Sequence, residues 1–65
     1  MVLIVNGEPQ EVEAPNVADL LHALGYEGGF FAVAVNQEVV RRNAWAKARL
    51  SEGDTVEILT PRQGG

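Results

Sequence analysis

One short amphipathic segment limits the fold of this chain more than any other feature of its sequence. Asn16 is a good helix N-cap, Asp19 places a negative charge in the first turn, and Gly25 supplies a left-handed stop. Between them apolar residues recur at helical spacing, at Val17, Leu20, Leu21 and Leu24. A helix of about eight residues is not stable alone in water, so its apolar stripe must pack against a sheet.

Five short stretches around that helix predict the strands of the sheet. They are residues 2–5, 10–13, 30–35, 38–40 and 55–59. Asn6-Gly7 is the strongest two-residue hairpin signal, because both residues tolerate positive φ, and Asn36-Gln37 makes another tight turn. The stretch 43–49 predicts a short helical turn, with Asn43 as its candidate cap and Trp45 pointing inward.

The order strand, strand, helix, strand, strand, short helical turn, strand has a natural solution. The first two strands make a hairpin, the helix crosses over one face, and the remaining strands pair beside them. The first and last strands can then lie side by side at the centre, which explains why Val2–Val5 is uniformly apolar, as in a strand buried on both faces. This is an α+β architecture, the ubiquitin-like β-grasp, with a mixed sheet of four to five strands. We expect the domain to cover residues 1–60 and a flexible C-terminal tail to cover 61–65.

Composition excludes several classes of protein. At 65 residues the chain is one small domain, and with no Cys and one His it can hold neither a disulfide nor a structural zinc ion. No apolar run approaches the roughly 20 residues of a membrane helix, and residues 1–5 lack the basic leader of a signal peptide, so we expect a cytoplasmic protein. A net charge of −4 and a pI of about 4.7 argue against nucleic acid as the main partner.

The charges are distributed unevenly along the chain. Residues 1–40 contain six acids and no Lys or Arg, whereas residues 41–65 contain five bases and three acids. An ordinary solvated surface is one interpretation of this asymmetry. A polar molecule that orients itself towards a charged partner is the other.

The last residues differ in character from the rest. After Leu59 the apolar pattern stops, and residues 61–65 (PRQGG) would reach about 17 Å if fully extended. Two terminal glycines leave the backbone thin enough for the carboxylate to thread a narrow cleft of another protein. A carboxylate is a poor electrophile, so chemistry at Gly65 needs activation, most simply as an acyl adenylate made from ATP, which a sulfur donor could convert to a thiocarboxylate. A frayed end without a role is the alternative.

No motif in the sequence indicates that this chain would activate itself. Gly28-Gly29 lacks the Lys and Ser or Thr of a phosphate-binding loop, no acidic cluster suggests a magnesium site, and no nucleophile is paired with a base. We therefore expect a carrier or docking protein rather than an enzyme, with no cofactor of its own.

Several short motifs follow one another along nearly the whole chain. They are Ala32-Val33-Ala34-Val35-Asn36, Glu38-Val39-Val40, Arg42, Trp45, Leu50, Glu52-Gly53-Asp54, Val56-Glu57-Ile58 and Gln63-Gly64-Gly65. Together they resemble the ThiS family, the ubiquitin-like sulfur carriers of thiamine biosynthesis. Arg41 departs from the pattern, since many relatives have Pro before the Arg, which affects the rigidity of that turn and not the chemistry.

The resemblance implies a defined cycle. A ubiquitin-activating-enzyme-like adenylyltransferase (ThiF-like) would adenylate Gly65 with Mg-ATP, and a persulfide sulfur donor would convert the adenylate to a thiocarboxylate. A thiazole synthase (ThiG-like) would then accept the sulfur, so the carrier is a co-substrate of other enzymes. Gly64, Gln63 and Arg62 would thread the partner's active site, and neither a metal, a nucleic acid nor a membrane would bind this chain.

Three further residues are candidate partner contacts. Phe30 and Phe31 are adjacent, so in a strand they would point to opposite faces and one of them would be exposed. Arg42 could meet an acidic partner loop near the tail, although a solvated arginine is the simpler interpretation. His22 lies off the apolar stripe and is expected at the surface, and Trp45 is expected to be a core or rim anchor.

The carrier chemistry leaves the destination of the sulfur open. It could serve molybdopterin synthesis, tRNA thiolation or ubiquitin-like conjugation instead of thiazole formation. A β-grasp module that docks to a larger enzyme without reacting is an alternative of a different class. The residues separate these hypotheses only through the ThiS-like motifs.

Overall fold

The computed structural model describes residues 1–26 and 31–60. Its elements are β1 (Val2–Val5), β2 (Glu8–Glu11), α1 (Val17–Leu24), β3 (Ala32–Val35), β4 (Glu38–Val40), a 3₁₀ helix (Arg42–Lys47) and β5 (Thr55–Leu59). The predicted tail, 61–65, lies outside the described residues, and its flexibility therefore stays a prediction.

The strands form one mixed sheet in the order β2-β1-β5-β3-β4. Strand β1 pairs antiparallel with β2 and parallel with β5, and β5 pairs antiparallel with β3. The first and last strands therefore lie side by side at the centre, as the sequence predicted. The mixed sheet, the main helix and the short helix before the last strand confirm the predicted architecture.

Both hairpins have two-residue loops in which the two residues take positive φ. The φ angles are 51° and 83° in Asn6-Gly7, and 51° and 71° in Asn36-Gln37. Such loops match the right-handed twist of the flanking strands, so pairing resumes at the next residue. Val5 consequently pairs with Glu8, where β2 begins. The second strand was predicted at residues 10–13, two residues too late, because that prediction placed too long a loop between the first two strands.

Helix α1 has the start and the stop that its sequence predicts. The side-chain oxygen of Asn16 accepts a hydrogen bond of 2.8 Å from the amide of Asp19. At the other end Gly25 adopts φ 87°, and the amides of Gly25 and Tyr26 bond back to carbonyl groups of the last turn. This pair of backbone hydrogen bonds is a Schellman motif, which ends the helix and pairs the carbonyls of Leu21 and His22.

Replacing the N-cap should weaken the domain measurably. Asn16→Ala removes the bond to Asp19, and we expect it to lower the free energy of unfolding by about 1 kcal/mol. Asn43→Ala is a matched control, because the 3₁₀ helix has no side-chain cap hydrogen bond, and it should change stability by less than about 0.5 kcal/mol. Urea denaturation of both variants measures the difference, and equal losses would contradict the capping role of Asn16.

The hydrophobic core lies between α1 and one face of the sheet. It contains Leu3, Val5, Ala14, Val17, Leu20, Leu21, Val33, Leu50, Val56 and Ile58. On β1, Leu3 and Val5 are buried, whereas Val2 and Ile4 on the opposite face are only half-buried. The prediction that β1 is buried on both faces was wrong, because α1 covers one face alone.

The 3₁₀ helix begins one residue earlier than predicted. Arg41 is its N-cap residue, makes no side-chain cap hydrogen bond, and accepts a bond of 2.8 Å at its carbonyl from the Ala44 amide. Asn43 lies inside the helix, so its predicted capping role was wrong. Trp45 is half-buried and donates from Nε1 to the Val40 carbonyl oxygen at 3.0 Å, as expected of a rim anchor.

The N-terminal amine is fixed to the strand that pairs with β1 and to the residues after it. Met1 N donates to the carboxylates of Glu13 and Glu11 at 2.9 and 3.0 Å and to the Val12 carbonyl oxygen at 3.0 Å. The hydrogen bonds that the amine donates, to Glu13 first and Glu11 second, raise its pKa from 8.0 to about 10.

We expect the stability of the domain to fall as the pH rises from about 8 to about 10. Because the folded state holds this proton more tightly than the unfolded state, the stabilisation is complete below pH 8 and is lost as the pH passes 10. Thermal unfolding at neutral and strongly alkaline pH measures the loss. Acetylation of the amine should remove this part of the pH dependence, and an unchanged profile after acetylation would contradict the assignment.

Candidate functional site

Strand β5 carries the chain to one end of the sheet. Its parallel neighbour β1 stops at Val5, which pairs with Val56, and the chain turns away at Asn6. The Asn6 amide donates to the Val56 carbonyl oxygen at 2.9 Å, and the Asn6 side-chain oxygen accepts from the Ile58 amide at 2.8 Å. Asn6 thus continues the hydrogen bonding of β5 beyond the end of β1 and positions the last residues before Thr60.

The other neighbour of β5 is β3. It determines which residues lie beside the point where the chain leaves the sheet after Leu59, which we call the exit of β5. Ala32 pairs with Leu59, so Phe31 lies next to the point where the chain leaves the sheet. Val33 pairs with Val40 at the end of β4, which is followed closely by the 3₁₀ helix. The exit of β5, Phe31 and the start of the 3₁₀ helix therefore share one end of the sheet.

Three aromatic rings and one arginine pack together at this end, and we call them the exit cluster (Tyr26, Phe31, Arg42 and Trp45). The Phe31 and Trp45 rings are stacked, with centroids 5.2 Å apart and an interplanar angle of 8°. The Tyr26 ring lies 5.6 Å from the Phe31 ring at 58°. The guanidinium carbon of Arg42 is 5.0 Å from the Trp45 centroid and 5.9 Å from that of Phe31, within cation–π range. The cluster holds the charged end of Arg42 beside the exit.

The structure brings together two of the predicted partner contacts, Phe31 and Arg42. Phe31 is half-buried and precedes β3, so the predicted strand 30–35 began too early. Phe30 and residues 62–65, which contain the other predicted site residues, lie outside the described residues. Sequence reasoning missed Tyr26, although its position directly after a left-handed glycine is where an apolar side chain packs in a Schellman stop.

The sheet face opposite α1 carries exposed apolar side chains. Val39 is 73% exposed and Leu59 is 67% exposed. Ala34 lies between β4 and β5 on this face, opposite Val39 and opposite Glu57. The face was not predicted, but the alternation along β5 was its signal, because it directs Leu59 away from the core. Leu59 is the last residue of β5, so this apolar surface borders the exit.

The cations of the described side chains are concentrated in residues 41–49, which contain the 3₁₀ helix and lead back to the start of α1, where Arg49 forms an isolated β-bridge with Asn16. In the part of the chain that the structure describes, no acidic side chain lies within 4.0 Å of Arg41, Lys47 or Arg49. The ion pairs found there join Met1 to Glu11 and Glu13 instead. The uneven charge distribution in the sequence thus places Arg41, Lys47 and Arg49 in one segment without an ion pair to the described carboxylates.

Residues 1–26 and 31–60 can be searched for a metal site and for a membrane-spanning helix. They contain no group of three or more His, Cys, Asp or Glu side chains that could hold a metal ion. Within the same ranges no helix has the length and hydropathy needed to cross a membrane. His22 is exposed on α1, as expected.

Comparison with known protein families identifies the family of this chain. The model of the ThiS family matches residues 3–65. The chain belongs to the ThiS family. The matched range includes the sheet, the exit cluster and every residue that follows β5, so the ThiS resemblance predicted from the motifs is confirmed.

Curated relatives of this ThiS-family chain include a free carrier and part of a larger protein. It is 33% identical over 61 residues to the sulfur carrier protein ThiS of Thermus thermophilus, covering 94% of this chain and 95% of that one. It is 35% identical over 66 residues to a thiazole synthase of Paramagnetospirillum magneticum, and there the match covers all of this chain but only 20% of the relative's length.

Solved structures of a ThiS protein have the same fold. The crystal structure of thiamine biosynthesis protein ThiS from Geobacter metallireducens superposes with a TM-score of 0.83 at 39% identity, and the match covers 100% of both chains. A solution structure of a thiamine biosynthesis protein from the same organism gives a TM-score of 0.79 at 38% identity, over 100% of this chain and 88% of that one. The β-grasp prediction is therefore confirmed.

Proposed function

We propose that this ThiS-family chain carries sulfur for thiamine biosynthesis as a thiocarboxylate on Gly65. The carrier role itself follows from the family, since a relative of nearly equal length is a sulfur carrier protein and the structural neighbours are thiamine biosynthesis proteins. The observation that supports Gly65 as the sulfur-bearing residue is the extent of the family match, which runs through residue 65 and so includes Gly64-Gly65.

The chemistry at Gly65 proceeds in three displacements. Its carboxylate attacks the α-phosphorus of ATP, pyrophosphate leaves, and an acyl adenylate forms. A persulfide sulfur then attacks the acyl carbon, AMP leaves, and reduction of the resulting sulfur–sulfur bond by a thiol releases the thiocarboxylate. An adenylyltransferase of the ThiF type supplies the ATP and magnesium site, so the carrier is a co-substrate and binds no cofactor itself.

The local structure supports presentation of the tail to such an enzyme. Asn6 secures the end of β5, so the tail starts from a fixed point of the sheet. Leu59 and the exit cluster lie beside that point, and they provide apolar, aromatic and cationic groups for docking. Binding energy gained there is available to position the terminal carboxylate.

The thiazole synthase relative supports the identity of the sulfur acceptor. A segment of that protein resembles the whole of this chain, so the carrier sequence and the synthase occur in one polypeptide. We infer that a ThiG-like synthase accepts the sulfur from this carrier. The absence of cysteine from the chain suits a reducing compartment, and we place the cycle in the cytoplasm.

Reconstitution tests the proposal. The purified chain is incubated with a ThiF-like adenylyltransferase, Mg-ATP and a persulfide donor, and its intact mass is measured. We expect a gain equal to the difference between one sulfur and one oxygen atom, and no gain without ATP. Absence of the gain under conditions that load a known carrier would overturn the proposal.

Genetic phenotypes distinguish the destinations of the sulfur. A strain without this chain should require thiamine and should retain molybdenum cofactor and thiolated tRNA. Loss of either product would show a second destination, and adducts linked to lysine side chains would show protein conjugation. A docking module without chemistry would bind its enzyme equally well after deletion of Gly65 and would give no thiamine phenotype from that deletion.

A further inference from the structure

An open groove lies between the 3₁₀ helix and β4, the edge strand of the described sheet. Its volume is about 500 Å³. Small and branched apolar side chains line it, including Val35, Val40, Ala44 and Ala48. The two alanines keep the groove wide enough for the side chains of another polypeptide. The groove shares Val39 with the exposed apolar face of the sheet and includes no member of the exit cluster.

One wall of the groove is the free edge of the sheet. Strand β4 pairs with β3 and is the last strand in the order of the described sheet. Val35 and Glu38 flank a two-residue loop and so form a hydrogen-bonded pair, which leaves the next pair, Ala34 and Val39, without mutual hydrogen bonds. The Val39 amide and carbonyl therefore point outward. They can hydrogen-bond to an extended segment of a partner, as in β-strand addition.

The other wall carries positive charge. Residues three apart eclipse one another in a 3₁₀ helix, so Lys47 lies on the same side of it as Ala44, and Arg41 directly precedes the helix. Arg41 and Ala44 both line the groove, and no acidic side chain of the described residues neutralises Arg41 or Lys47. Glu38 lines the opposite end. An occupant with carboxylates at the Arg41 end would complement these charges.

We propose that this groove docks an extended, carboxylate-bearing segment of the adenylyltransferase that activates Gly65. The inference rests on the proposed function and adds a second contact to the threading of the tail. Arg41 follows Val40, and Val40 and Phe31 flank the same end of the sheet, so a segment bound in the groove would bring the enzyme to the side from which the tail departs. Electrostatic attraction to Arg41 and Lys47 would speed encounter and set orientation.

A pair of charge-matched variants tests the groove. The double variant Arg41→Gln, Lys47→Gln lowers the net charge by two and removes the positive charges of Arg41, which lines the groove, and of Lys47, on the same side of the helix as Ala44. The control Ala23→Glu, Ser51→Glu lowers the net charge by the same amount at two exposed positions that do not line the groove. Each is assayed by ATP–pyrophosphate exchange with the adenylyltransferase. We expect the KM for the carrier to rise about tenfold in the groove variant with kcat unchanged, and to stay within about twofold in the control.

A third variant separates the loss of the Arg41 contact from an effect of misfolding on KM. Arg41 has φ −69°, close to the value that proline requires, so Arg41→Pro removes the charge and the backbone N–H without strain. It should also raise KM, and the differences among the variants should shrink at high salt.

The outcomes separate the two proposals. Exchange by the wild type with equal KM for the groove variant and the control would overturn the groove and leave the proposed function standing. No exchange by the wild type would overturn the proposed function and the identity of the occupant together. Sedimentation of the chain alone provides the remaining outcome, because a dimer that Arg41→Gln, Lys47→Gln dissociates would assign the groove to a second copy and contradict the proposal.

Discussion

Deletion of Gly65 is expected to abolish sulfur loading while leaving the fold intact. The deletion moves the terminal carboxylate back by one residue, or about 3.5 Å. A displacement of about 1 Å from reacting geometry already costs about 10²-fold in rate, so the shortened chain should fall below detection in the adenylation assay. Residues 1–60 contain the whole described sheet and core, so thermal unfolding should be unchanged.

Gly64→Ala provides the control for this deletion. It keeps the terminal carboxylate at residue 65 and adds one methyl group to the segment that must thread the enzyme. We expect reduced but measurable loading, since the added methyl group only narrows the space between the tail and the walls of the enzyme's cleft. Loading of the shortened chain at the wild-type rate would contradict Gly65 as the sulfur-bearing residue.

Leu20→Ala is expected to cause a large loss of stability. Leu20 is fully buried at the centre of α1, and truncation of a buried leucine costs about 3 kcal/mol through lost burial and the cavity left behind. A domain of this size has little stability to spare, since small domains are stable by only about 5 kcal/mol. About 2 kcal/mol of stability should therefore remain, which leaves about 3% of the variant unfolded at room temperature and lowers the midpoints of thermal and urea unfolding clearly.

Leu59→Ala provides the matched comparison. It makes the same chemical change at a side chain that is 67% exposed, and we expect its stability to stay within about 0.5 kcal/mol of the wild type. Urea denaturation of both variants measures the contrast. Comparable losses would contradict the assignment of the core to the helix face of the sheet.

Local signals account for the parts of the fold that could be predicted. The capping residues of α1 and the two-residue loops depend on interactions between neighbours in sequence, and the structure contains them where they were predicted. The position of β1 beside β5 followed from connection rules together with the apolar character of Val2–Val5. The boundaries of β2 and β3 were less accurate, because a strand ends where its partner ends and sequence alone does not show the partner.

The exit cluster could not be predicted, because its members are distant in sequence. Phe31 and Trp45 stack only after β3, β4 and the 3₁₀ helix are in place, and Arg42 joins them through the turn that begins at Arg41. The same holds for the groove beside β4, which needs both the edge strand and the helix. The tail, residues 61–65, was predicted from local features, its glycines and proline, and it stays a prediction because these residues lie outside the described ones.

The proposed function assigns different parts of the chain to binding and to chemistry. In that proposal, the exit cluster and the apolar surface at Leu59 would bind a partner enzyme while the terminal carboxylate reacts in its active site. Recognition by side chains of the sheet and the 3₁₀ helix would then be separate from reaction at Gly65. This separation agrees with a co-substrate that is released by one enzyme and accepted by the next.

Fragment mass spectrometry of the loaded chain tests the central claim most directly. After reaction with adenylyltransferase, Mg-ATP and persulfide donor, the C-terminal fragments that contain Gly65 should carry the sulfur-for-oxygen mass difference, and fragments that end before Gly65 should be unmodified. A loaded chain in which Gly65 keeps an ordinary carboxylate and the sulfur lies on another residue would contradict the account.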